Sequence, residues 1–207
     1  MTRSANSSTS ASSEPGVTAT RARDWPLAVM RLLGRLNHGV ALLCGAALLG
    51  TVCLVLVEIV LRQTAGRGLG GSDEIAGYVM AGVAAWGFSY ALVERAHVRI
   101  DVLTGRLPPG GRAMFDLAAV LSVCGVAAVV SFYGWYVFAR SLERGARANT
   151  PLETPLWIPQ SIWVAGWIWL TLVAAVVAVC LAALMLQRRF GAVHDVGGTG
   201  ATVEGER

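Results

Sequence analysis

GVALLCGAALLGTVCLVLVEIVL, residues 39–61, is an apolar run broken only by the hydroxyl of Thr51 and by one charge, Glu58. A bilayer's hydrocarbon core is ~30 Å thick and takes ~20 helical residues to cross. Three further runs, Ile75–Val93, Leu117–Ala139 and Leu156–Leu186, are long enough to cross as well and hold no charge. Short of a closed barrel, only a helix satisfies its own backbone hydrogen bonds in that solvent. The fold class is therefore an all-α membrane protein with four transmembrane helices, at about 39–61, 75–93, 117–139 and 160–186. Pro159 either caps or kinks the last of them.

The four spans and the short loops between them occupy residues 39–186 of the 207, which leaves two polar tails and no room for a separate soluble domain. Residues 1–24 are rich in Ser, Thr and Ala and are expected to form a disordered tail. No apolar stretch of signal-peptide length follows a basic start there. The membrane domain covers 25–186, and the Gly-rich stretch 187–207 is expected to be a flexible tail. Between tail and first span, Trp25–Leu36 reads as a short amphipathic helix. Arg31 and Arg35 lie four apart, Val29, Leu32, Leu33 and Leu36 are apolar, and Pro26 suits a first turn. It is either a surface anchor among membrane lipids or a basic extension of the span.

All 17 basic residues are arginine, which reads as compositional bias rather than function. The net charge of +4 does not point to nucleic acid, because the arginines punctuate the ends of the apolar runs instead of forming one face. Ten flank one side: Arg21, Arg23, Arg31, Arg35, Arg95, Arg99, Arg106, Arg112, Arg188 and Arg189. Five flank the other: Arg62, Arg67, Arg140, Arg144 and Arg147. The positive-inside rule then puts both termini and the middle loop in the cytoplasm.

The polar inventory of the spans bears on mechanism. Cys44, Cys53, Cys124 and Cys180 all lie inside apolar runs, without the paired spacing of a thiol-oxidising enzyme. Thr51, Ser89, Ser122, Ser131 and Thr171 are scattered singly, and such hydroxyls can bond back to their own helix. Glu58 precedes Arg62 by four residues, a favourable helical pair near a span end. An interfacial ion pair whose heads reach water is the expected reading; a proton or cation relay is the alternative. His97 and Asp101 are also four apart, but a third metal ligand is missing, so they are expected to organise the middle loop. No cofactor is expected, since the histidines needed to hold haem between spans are lacking. Four tryptophans over Trp157–Trp169 exceed the needs of one interfacial belt and suggest packing against another protein. On the second span, Gly77, Ala81, Ala84 and Ala85, with Gly82 nearby, form a small-residue stripe that would admit a partner helix.

Particular residues then converge on a family. Glu58 and Arg62 are followed by Ser72-Asp73-Glu74, Tyr78 and Trp86, then by Ala96-His97-Val98-Arg99-Ile100-Asp101 and Leu107-Pro108. With Thr154-Pro155-Leu156-Trp157-Ile158-Pro159 before the last span, this order resembles the small membrane subunit of tripartite ATP-independent periplasmic (TRAP) transporters. The entry to the second span departs from that pattern by lacking its usual aromatic. The resemblance implies an inner-membrane scaffold, not an enzyme, whose partners are a large elevator-like membrane subunit and a periplasmic solute-binding protein. It further implies sodium-driven import of an organic acid, with the substrate site on another chain. Interface candidates are Glu58, Arg62, Ser72, Asp73, Glu74, Tyr78, His97, Asp101, Arg144, Arg147 and Trp157. Arg140, Arg144 and Arg147 recur at helical spacing and are expected either to face the binding protein or to meet lipid headgroups. The competing classes are a stand-alone small proton-coupled transporter using Glu58 and the membrane anchor of a redox enzyme.

Overall fold

A computed structural model describes residues 16–94 and 108–187. Four helices follow in order: α1 (Gly16–Ala65), α2 (Ser72–Val93), α3 (Pro109–Glu143) and α4 (Trp157–Leu186). All four are long and apolar enough to cross a membrane. The α1–α2 and α3–α4 connections lie at the same end of the bundle, called the loop end below. Helix boundaries follow local chemistry. Pro109 opens α3 at a position where its missing N–H costs nothing. Arg62 in the last turn of α1, and Asp73 and Glu74 in the first turn of α2, complement the helix dipoles.

The Trp25–Leu36 segment is helical, but no break separates it from the first span. α1 runs 50 residues, with Pro26 inside it rather than in its first turn, and begins within the polar tail. At 1.5 Å per residue the helix extends ~75 Å, far more than the ~30 Å hydrocarbon core. One side of this segment packs on the bundle: Leu33 joins Ala113, Val120, Val177, Leu181 and Leu184 in the main apolar cluster. Of the four apolar residues read as one side, Leu33 is buried while Leu32 and Leu36 face outward.

Helix α4 is the centre of the bundle, packing on α3, on α2 and, less extensively, on α1. Helices in lipid gain little from hiding apolar surface, so close backbone approach supplies the contact. Small residues occur where that approach is tightest. A Cβ added at Gly166 would stand 2.8 Å from Ala85 Cβ and 2.9 Å from Trp86 Cδ1. One at Gly134 would stand 3.0 Å from the Trp163 ring. Gly82 and Ala85 are thus turned into the chain's own core, and only Gly77, Ala81 and Ala84 of the α2 stripe remain outward.

The tryptophans of α4 are likewise used within the chain. Trp169 stacks on Trp86 with ring centres 6.5 Å apart and donates its N–H to Asn37 Oδ1 at 3.2 Å. Trp86 donates in turn to the Ile162 carbonyl at 3.0 Å, and Trp167 packs on Phe88 and Trp163. Indoles can thus satisfy both ring and N–H against neighbouring helices, while Trp157 stays 41 % exposed and the buried Trp167 N–H has no hydrogen-bond partner. Gly166→Ala is expected to force α4 away from α2 and lower stability by about 1–3 kcal/mol. Thermal unfolding in detergent measures this, and an unchanged midpoint would refute the close approach.

Candidate functional site

Chemistry-bearing side chains gather at the loop end. Glu58 lies about two turns before the end of α1 and is 4 % exposed. Arg62 Nη2 donates to its Oε1 at 3.0 Å, and the Leu69 backbone N–H donates to Oε2 at 2.6 Å. The ion pair read from the sequence is present, yet its heads do not both reach water: Arg62 is 68 % exposed and Glu58 is sealed. The reason is the glycine-rich segment Gly66–Gly71, which folds back over the carboxylate. Gly66, Gly70 and Gly71 have φ of 65°, 67° and 91°, and a Cβ on Gly68 would collide with Glu58 Oε1. Glu58 is therefore a loop anchor as well as half of an ion pair.

The second connection closes over the first. α3 ends at Glu143, Arg144 caps it, and Gly145 at φ 57° turns the chain away. The helical spacing of Arg140, Arg144 and Arg147 therefore breaks at Gly145. Arg147 sits instead in an isolated antiparallel bridge with Pro155, and its guanidinium reaches the Glu153 carbonyl at 3.5 Å. Arg140 stays on the helix, 4.5 Å above the Tyr136 ring. Hydrogen bonds from Ala148 N–H to Thr154 O and from Leu156 N–H to Ala146 O complete a small hairpin.

That hairpin interlocks with the start of α2. Leu152 covers Gly71, leaving no space for a Cβ there. Glu74 Oε1 accepts the Tyr78 hydroxyl at 2.7 Å, and Thr150, Thr154 and the Leu152 backbone surround the same carboxyl group. Glu74 Oε2 is shut off from solvent without a hydrogen bond of ordinary geometry. Ser72 is buried beside it, while Asp73, Arg144, Arg147 and Trp157 face outward. The structure thus brings Glu58 and Arg62 together at one connection, and Glu74 and Tyr78 together at the other. His97 and Asp101 lie outside the described residues.

Two buried polar residues escaped the sequence reading. Asn37, fully buried, was hidden by its place just before the apolar run; it donates to the Leu33 carbonyl at 3.0 Å and accepts from Trp169. Asp116 is 4 % exposed inside α3, one residue before the run that was counted as charge-free. A helical signal was available in both cases: Asn37 lies four residues after buried Leu33, and Asp116 three after Ala113 and four before Val120. The mid-span hydroxyls are not all single. Ser131 and Thr171 meet across α3 and α4 at 3.1 Å, so that one hydroxyl donates to the other while the acceptor can keep its bond to a carbonyl of its own helix. Among the described residues no group of three His, Cys, Asp or Glu could hold a metal, and all four cysteines are free.

Glu58→Gln keeps the shape but weakens two charge-assisted bonds, so a loss of about 1–3 kcal/mol is expected. Its signature is faster amide hydrogen exchange at Leu69 than in the parent chain; unaltered exchange there would show that the carboxylate does not hold the loop. Gly68→Ala should reproduce the effect by steric means, since the added methyl occupies the carboxylate's space.

Comparison with known proteins agrees with this architecture. The family model for the DctQ component of tripartite ATP-independent periplasmic transporters matches residues 51–185. A Haemophilus influenzae protein named for the TRAP transporter small permease is 28% identical over 119 residues, covering 57% of this chain and 74% of that relative. No solved structure matches the chain. With four spans in the fold and the match running from Thr51 to Met185, the chain belongs to the DctQ family: it is a small membrane subunit of a TRAP transporter, a multi-pass protein of the bacterial inner membrane.

Proposed function

We propose that this subunit is a fixed frame for a large elevator-like membrane subunit that carries the substrate. The assembled transporter would import an organic acid, driven by sodium and fed by a periplasmic binding protein. The observation that supports the framing role is that the spans' hydroxyls are bonded within their own helices. The hydroxyls of Thr51, Ser89, Ser122, Ser131 and Thr171 all bond to carbonyls of their own helices. A secondary transporter's site instead needs unwound carbonyls or free carboxylates near midplane. Both termini are taken to be cytoplasmic, which puts the interlocked loop end on the periplasmic side, where a binding protein must dock.

Uptake by proteoliposomes holding both membrane subunits, with binding protein added outside, tests the scheme. Ala81→Leu, on the outward part of α2, is expected to impair co-purification with the large subunit and to reduce uptake in proportion. Intact assembly would remove that face from the interface. Arg144→Glu with Arg147→Glu should slow uptake most at low salt while assembly stays normal, because exposed charges chiefly steer encounter. Equal rates across ionic strength would take the hairpin out of the docking surface. A changed sodium or proton dependence in Glu58→Gln would favour direct coupling through Glu58 and overturn the frame.

A further inference from the structure

The outward face of α3, towards the loop end, carries a charged group that none of the foregoing uses. α3 packs almost wholly on α4, through a strip of buried residues: Ala113, Asp116, Val120, Ala127 and Gly134. The opposite face presents Val126, Val129, Tyr133, Tyr136 and Arg140, all exposed. Steps of three and four residues make these one continuous line along the helix. Phe132 and Trp135 are exposed beside it. At the end of the line the Arg140 guanidinium lies 4.5 Å from the centre of the Tyr136 ring. Among the described residues the one ion pair is Glu58–Arg62, so Arg140 has no carboxylate partner; Glu143, one turn on, is exposed and not paired with it. A guanidinium resting on a ring keeps its in-plane N–H donors for an outside acceptor.

Depth follows from α3 itself and from its neighbour. The apolar run of α3 begins at Leu117, and about 20 residues onward reach the far boundary of the hydrocarbon, at Tyr136. The usual tilt of ~20° moves that boundary about one residue further along the helix. Arg140 Cα then lies ~4–6 Å beyond it, against a polar zone of ~5–7 Å in one leaflet. Its guanidinium is folded back over Tyr136, which brings the charge nearer the boundary still. The four rings lie at that boundary or just inside it, and Val129 and Val126 lie deeper. α4 gives the same level independently. Gly134 faces Trp163 and Val164, so Trp157, the first residue of antiparallel α4, comes level with the turn that holds Arg140 and Ser141. Past that level the connection is non-helical, and lipid-exposed backbone of that kind stays outside the hydrocarbon.

We infer that Arg140, seated on Tyr136, holds the phosphate of an anionic phospholipid in the leaflet at the loop end. The lipid's glycerol and upper acyl carbons lie along Tyr136 and Tyr133, and its chain continues over Val129 and Val126. Charge complementarity selects the occupant: an unpaired guanidinium inside the polar zone meets a monoanionic phosphodiester, whose oxygens accept charge-assisted hydrogen bonds. A zwitterionic lipid carries its own cation and gains less. Rings with an apolar body and, in tyrosine, a polar tip suit that depth. A helix of the large subunit fits the same place poorly, because close packing in lipid favours small residues and this part of the face is built of rings. Arg140 thereby parts from Arg144 and Arg147, which lie at and beyond the helix end and belong to the hairpin. The site needs only that the chain crosses a membrane, so it stands whether or not the subunit acts as a frame.

The test places the full chain in phosphatidylcholine vesicles with a trace of phosphatidylglycerol that carries a photoreactive diazirine on its first acyl carbons. Peptide mass spectrometry then locates the label, which is expected on Tyr133–Arg140. A basic residue near the surface enriches anionic lipid about five-fold, so Arg140→Gln should lower the labelling of that segment about five-fold. Arg144→Gln should leave it unchanged. Labelling of Arg140→Gln within two-fold of the parent would overturn the site, as would equal labelling of the parent by the matching phosphatidylcholine probe. Loss of label in millimolar inorganic phosphate would mark a free-anion site instead. Loss of label when the large membrane subunit is bound would put a protein on this face, and either loss refutes the proposal. Should Arg140→Gln fail to fold, the parent decides. With the diazirine moved to the end of the acyl chain, the label must shift inward to Val126 and Val129, and a label that stays in place or misses this face refutes the proposal.

Discussion

Close approach of α4 to α2 at Gly166 and Ala85 is the contact on which the rest of the bundle depends. Lipid tails are as apolar as leucine, so helices gain little by hiding side chains from the membrane. What remains is dispersion, which falls away within an ångström of lost contact, and hydrogen bonds between the few polar groups. Gly166 lets the α2 backbone come near enough for Trp86 to reach both the Ile162 carbonyl and the Trp169 ring. Trp169, so placed, holds Asn37 of α1. Three helices are thereby joined through one line of indole contacts, and a methyl at position 166 would act on all of them.

The loop end is joined by a different device. Two carboxylates, Glu58 and Glu74, stand where helices end and glycine-rich or threonine-rich turns begin. Each gathers donors from a connection that has little apolar surface of its own. Glu58 holds the first turn through Leu69, and Glu74 sits beneath Thr150 and Thr154 of the second. Leu152 over Gly71 then locks one connection to the other. A buried carboxylate costs desolvation and is retained only when its oxygens are well partnered. Here Glu58 takes Arg62 of its own helix and the Leu69 N–H of the loop, and Glu74 takes Tyr78 of its own helix beside the threonines of the hairpin, so the anchors order the surface rather than open a path through the bundle.

The spans were legible because hydropathy over twenty residues is a strong signal that tertiary context cannot reverse. The Glu58–Arg62 pair was legible too, since i and i+4 are neighbours on any helix. What lay beyond reach was decided by approach between segments distant in sequence. Whether Glu58 stays wet depends on Gly68 folding back over it. Whether Ala85 faces a partner or the chain's own α4 depends on Gly166, 81 residues away. The break at Gly145 shows a local signal passed over: arginines at helical spacing imply a helix only while nothing between them favours positive φ, and glycine does. Asp116 was passed over for another reason. A run counted from its first apolar residue ends where burial does not.

A frame against which another subunit moves must keep its own helices from moving with it. Under the proposed reading, that demand explains why the hydroxyls of the spans are spent internally. A hydroxyl bonded to its own helix offers nothing to a passing ion, and an indole bonded to a neighbouring carbonyl resists sliding of one helix along the other. Both ends of the bundle are also tied, by the interlocked connections at one and by Leu33 and Asn37 of the long α1 at the other. The specificity of a transporter built this way resides elsewhere. Substituting the polar residues of this chain should alter how much complex assembles and how fast it is loaded, while the choice of solute remains with the chains that bind it.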